Sequence, residues 1–181
     1  MKKIEKKDWF TKGLKVLATE GFAKITIDNL CSILKVTKGS FYHHFGNVDG
    51  YIDSLMKYWL EENTLSFIEK SEKISDADKR VNILYEMAIM SSIKEEQAIR
   101  AWGYSNKIVS SYVQKVDEMR LNYVTQLEEK IGLNNKEARD SALILYSLLL
   151  GIQQLSANIN EEDYRVIFNM VIKLSNKNES I

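Results

Sequence analysis

Residues Thr26 to Phe45, TIDNLCSILKVTKGSFYHHF, constrain the fold of this chain more than any other stretch. Thr26 and Thr37 each stand where a hydroxyl can cap a helix N-terminus. After Thr26, the residues Ile27, Leu30, Cys31 and Leu34 recur on one helical face. After Thr37, Phe41 and Phe45 stand four apart. The pattern predicts two short helices joined by a tight turn. The second helix carries Lys38, Gly39, Ser40, Tyr42, His43 and His44 on about two turns. Lys, Ser, Tyr and His are the donors that grip phosphate and read base edges. A helix so rich in donors, braced by another, suits the DNA major groove.

The formal net charge is zero, which at first argues against nucleic acid. Its distribution argues the other way. Residues 1–50 hold nine Lys and no Arg against five Asp and Glu, a balance of +4. The remainder holds 25 − 9 = 16 basic and 25 − 5 = 20 acidic residues, a balance of −4. A basic head on an acidic body keeps the attraction to phosphate local.

The rest of the chain reads as all-α. It has no proline, and 45% of its residues are hydrophobic. The first helix is expected from about Ile4 to Glu20, with Gly21 supplying the left-handed residue after its end. A long fourth helix, capped by Asn47, is expected from Val48 to about Lys70. Ser75 is the expected cap of a helix from Asp76 to about Ser92. Others are expected over Lys94 to Trp102, Lys107 to Ile131, Lys136 to Ala157 and Glu161 to Leu174, about nine helices in all. The Lys136 to Ala157 helix is apolar almost all round, which predicts burial on every side and, near the chain end, burial against a second copy.

Other classes find little support. The single cysteine, Cys31, falls in an apolar helical pattern and is expected to be a buried, inert thiol. Adjacent His43 and His44 point in different directions, and no third His completes a zinc set, so no metal is expected. No glycine loop for phosphate and no nucleophile with a partner His is visible, so neither an enzyme nor a cofactor is expected. The N-terminus, MKKIEKKDWF, has no apolar signal region, and the greasiest run, Ala142 to Leu155, is too short for a bilayer. A soluble cytoplasmic protein is expected.

The run from Trp9 to Leu55 resembles the N-terminal domain of TetR/AcrR-family transcriptional regulators. The match is carried by Leu17, Glu20, Gly21, Phe22, Thr26, Ile27 and Leu30, then by VTKGSFY at 36–42 with His44 and Phe45. The resemblance covers about the first 50 residues. AIRAWG at 98–103 and VDEMRLNY at 116–123 give a weaker echo. It implies a helix-turn-helix domain over residues 1–47 and a helical ligand-binding and dimerisation domain over 48–181. DNA contacts are then expected from Thr26, Lys35, Thr37, Lys38, Gly39, Ser40, Tyr42, His43 and His44. Two positions depart from the family pattern. Lys35 stands where the turn usually has glycine, at a strain of about 1 kcal/mol. Val48 stands where a phosphate-contacting lysine is common.

The resemblance further implies a homodimer on a palindromic operator, most simply a repressor, released by a small-molecule effector. The effector would shift the fourth helix and so change the separation of the two reading helices. Trp59, Tyr85, Met90, Trp102, Tyr112 and Tyr123 are the candidate ligand contacts. Leu145, Leu148, Leu149, Ile152, Ile167, Phe168 and Val171 are the candidate dimer contacts. Arg100 and Asp117 lie in apolar surroundings and are expected to pair across helices. The alternative is a helical protein–protein adaptor without sequence-specific DNA binding.

Overall fold

The computed structural model describes residues 4–155 and 160–176. Among them are ten α-helical segments and no strand. The chain divides into two compact units, Met1–Ser66 with Lys94–Asp117, and Phe67–Ile93 with Glu118–Ile181. This division follows packing; the functional boundary near residues 47 and 48 remains an expectation.

In the first unit, α1 (Lys6–Glu20) starts later than expected, where the Glu5 amide donates to the Asp8 carboxylate at 2.8 Å. Gly21 ends it at φ +83°. Then come α2 (Ile27–Leu34), α3 (Lys38–Phe45) and α4 (Val48–Leu60). The Thr26 hydroxyl caps α2 by accepting from the Asn29 amide at 3.2 Å. Asn47 caps α4 by accepting from the Gly50 amide at 2.7 Å. These helices close around Trp9, Leu17, Leu30, Phe41, Tyr51 and Leu55, all buried. Tyr51 on α4 donates its hydroxyl to the Trp9 carbonyl on α1 at 3.0 Å. Only glycine fits opposite: a Cβ on Gly13 would come within 1.9 Å of the Tyr51 oxygen. The thiol of Cys31 is buried, and burial pushes its pKa up.

The helix expected from Val48 to Lys70 is helical throughout but not uniform. A π-helical turn, Glu61–Leu65, separates α4 from α5 (Ser66–Glu72). The first unit also takes in most of α7 (Ile93–Gly103) and the start of α8 (Lys107–Lys130). There the expected pair forms. Arg100 donates to both Asp117 oxygens, at 3.1 and 2.6 Å, and to Glu96 at 2.9 Å.

The second unit is built from α6 (Ala77–Met90), the rest of α8, α9 (Asn135–Gln154) and α10 (Glu161–Asn176). The cap of α6 is Asp76, one residue beyond the expected Ser75; its carboxylate accepts from the Lys79 amide at 3.3 Å. An anionic acceptor suits the positive end of a helix better than a hydroxyl does. The expected end of α9 at Ala157 lies outside the described residues. The core of this unit joins Tyr85 and Ile89 of α6, Leu127 of α8, Leu145 and Leu149 of α9, and Tyr164 and Phe168 of α10.

Within the single chain, this core takes one face of α9. Ala142, Leu145, Tyr146, Leu149 and Ile152 face the chain's own core, while Leu143 and Ile144 are exposed, Ile144 to 59%. Near-continuous apolar sequence hides which face is inward, because a hydrophobic count carries no angle when almost every position is apolar. No helix among the described residues is long and apolar enough to cross a membrane.

Candidate nucleic-acid interface

α3 has two faces of different chemistry. Phe41 and Phe45 point inward and meet the edge of the Trp9 ring, with both centroid distances at 5.6 Å. This aromatic packing fixes the rotation of the helix about its axis. The opposite face then carries Lys38, Gly39, Tyr42 and His43 to solvent, with Tyr42 51% exposed. Ser40 and His44 are half-buried at its margins, and the His44 ring lies 6.3 Å from Trp9. The structure thus brings six of the nine candidate DNA contacts onto one short helix.

The other three frame it. Thr26 is exposed; its hydroxyl oxygen accepts from the Asn29 amide, which leaves its proton available to donate outward. Thr37 precedes α3 in the cap position, yet its side chain makes no capping bond. Its hydroxyl is therefore not committed to the helix it opens. Lys35 closes α2 in the left-handed region, at φ 55° and ψ 46°. Its amide donates to the Ser32 carbonyl at 3.2 Å, and the Val36 amide reaches back to the Cys31 carbonyl at 3.0 Å. These two bonds are the Schellman ending that normally selects glycine. The turn keeps that geometry and lysine bears the strain.

Electrostatics add a residue that sequence reading missed. Asp28, in the first turn of α2, places a carboxylate oxygen 2.5 Å from the ammonium of Lys38. Both side chains are exposed, Lys38 to 61% and Asp28 to 75%. The hydrogen bond from Lys38 to this carboxylate raises the lysine pKa above its ordinary value. Ten positions and a turn separate the two residues, so no helical spacing reveals the pair.

The candidate ligand contacts are divided between the two units. Trp59, Trp102 and Tyr112 belong to the first unit; Tyr85, Met90 and Tyr123 belong to the second. Met90, the last residue of α6, is 76% exposed and lines no core. Tyr112 donates to Asp53 of α4 at 3.0 Å; burial, with that carboxylate, pushes its phenol up to about 12. Tyr123 bonds the buried Ser71 hydroxyl at 2.8 Å and donates to Glu72 at 2.5 Å. That bond holds the Glu72 carboxyl below its usual range. Tyr85 differs. Its ring stacks on Phe168, and its buried hydroxyl has no hydrogen-bond partner among the described residues.

The candidate dimer contacts pack within the second unit. Leu145, Leu149, Ile152 and Phe168 are buried in the second unit's own core, and Leu148, Ile167 and Val171 pack against it. Among the described side chains of α9, its C-cap and α10, the exposed large apolar residues are Leu143, Ile144, Leu155, Val166 and Met170.

Residues 11–50 match the family model for bacterial regulatory proteins of the tetR family. Comparison with curated protein sequences gives no match. Solved structures match over nearly the whole chain. A TetR transcriptional regulator from Legionella pneumophila is 11% identical with a TM-score of 0.80, covering 97% of this chain and 99% of that one. A TetR transcription regulator from Haloarcula marismortui is 15% identical with a TM-score of 0.73, covering 91% and 96%. A candidate transcriptional regulator from Saccharomonospora viridis, solved in complex with choline, is 14% identical with a TM-score of 0.79, covering 93% and 95%. The N-terminal segment thus matches the tetR family of bacterial regulatory proteins over residues 11–50, and the described residues share the fold of these solved regulators.

Proposed function

We propose that this protein is a ligand-responsive transcriptional repressor that binds a palindromic operator as a homodimer and is released by a small molecule. The observation that carries the reading is α3: a row of solvent-facing donors whose helix is locked from behind by Trp9, Phe41 and Phe45. Thr37, Lys38 and Tyr42 then meet phosphate and base edges, with Gly39 allowing close backbone approach. Thr26 and Lys35 meet the flanking phosphates, and Ser40, His43 and His44 complete the contact.

Two further features support the finer parts. The exposed Ile144, Ser147, Gly151 and Leu155 recur at spacings of three and four along α9, and Val166 and Met170 stand four apart on α10. A second copy covering this strip would make the dimer, in place of the inward-facing leucines. In the second unit, the Tyr85 hydroxyl is a buried polar group that a ligand acceptor would satisfy. An effector bound there releases DNA only by favouring one conformation over another.

The test is selection from a randomised duplex pool, followed by affinity measurements on the enriched sequence. A palindrome with half-sites about one helical turn apart is expected. The paired change Lys38→Ala and Tyr42→Ala should abolish binding while the oligomeric state is unchanged. A pool that enriches nothing, or enriched binding that survives the paired change, rejects the reading and favours the adaptor.

A further inference from the structure

The first cation of α3 is already engaged. Lys38 opens the helix, and its ammonium lies 2.5 Å from the Asp28 carboxylate of α2. Asp28 is placed there by two independent constraints. Thr26 caps α2, which puts Asp28 in the first helical turn, where a negative charge is favourable. The Schellman turn at Lys35 then folds α3 back so that its first residue meets that turn. The pair is fixed by backbone geometry, yet it is open to water on both sides. Exposed ion pairs hold weakly and exchange partners readily.

A DNA phosphate approaching Lys38 brings the same charge as Asp28. Binding at this position is therefore an exchange of anions, not a simple capture. The displaced carboxylate stays at the surface and repels the backbone that displaced it. We propose that Asp28 is an intramolecular competitor for the phosphate contact of Lys38, setting the affinity of this protein for duplex DNA below what its donor row would give. The inference rests on the DNA-binding reading above. It adds a residue that the donor inventory does not contain, and one that acts against binding.

The experiment uses the full chain and a mixed-sequence duplex, with fluorescence anisotropy across a series of KCl concentrations. Non-specific binding suffices, because phosphate contacts act on any sequence. The wild-type protein should bind with affinity that falls as salt rises. Asp28→Asn should bind more tightly, with a salt slope steeper by about 0.9, which is up to roughly eightfold per decade of salt. Lys38→Gln should cost more in the Asp28→Asn background than in the wild type, because there the lysine is uncommitted. Asp28→Ser serves as the second variant should the asparagine disturb the helix, with thermal melting as the control.

Equal or weaker binding by both Asp28 variants, with the wild-type slope, overturns the inference. An identical cost of Lys38→Gln in both backgrounds overturns it too. A wild-type protein with no salt-dependent duplex binding overturns the DNA-binding reading itself, and the inference with it.

Discussion

At Lys35 a branched-off side chain occupies backbone geometry that glycine reaches freely. The position was legible in sequence as a departure from the family pattern, but its outcome was not. Whether a turn relaxes or a residue bears the strain depends on the bonds that close the turn, here those of Lys35 and Val36 to α2 carbonyls. Lys35→Gly is expected to raise unfolding stability by up to about 1 kcal/mol in urea titration. The same variant should flatten the salt slope of duplex binding by about 0.9 where Lys35 meets a phosphate. A stability loss would show that the lysine side chain makes a compensating contact. Asp28, by contrast, was invisible. Its importance comes from a neighbour brought close by a turn, and linear spacing does not report such pairs.

At the scale of elements, caps and periodicity carried most of the information. Thr26 and Asn47 cap the helices they were expected to cap. Periodicity missed the π-turn Glu61–Leu65, since its sequence EENTL has a single apolar residue and so carries no stripe whose shift could be read. The Arg100–Asp117 pair was legible as two opposite charges in apolar surroundings, and the structure adds Glu96 as a third member. Arg100 and Glu96 are buried to water on most of their surface, while Asp117 keeps about a third of its own. Asp117→Asn removes the charge but keeps the shape, and turns an amide group toward the guanidinium. It should cost about 2 kcal/mol by chemical denaturation. A loss within 0.5 kcal/mol, the spread of ordinary surface changes, would mean that Glu96 alone suffices.

At the scale of the molecule, the fold class and the donor helix could be read from sequence, while the inward face of α9 could not. Leu145 and Ile144 are neighbours in an unbroken apolar run, yet one is core and the other is exposed. Only the packed partners decide which. Ile144→Glu with Met170→Glu should therefore give a folded monomer by sedimentation, with duplex affinity reduced. Leu145→Glu should instead unfold the chain, as a charge is forced into the core. Two copies that persist with the first pair of changes would place association elsewhere.

The Tyr51–Trp9 hydrogen bond has a mechanical meaning. With Gly13 leaving no gap behind the phenol, α1 and the start of α4 are bolted together, and α3 is clamped to α1 by its aromatic rings. Torque applied to α4 is not absorbed inside the head. In the proposed regulator it would reach the reading helix as a rigid rotation, so a small tilt of one shaft would move the whole grip.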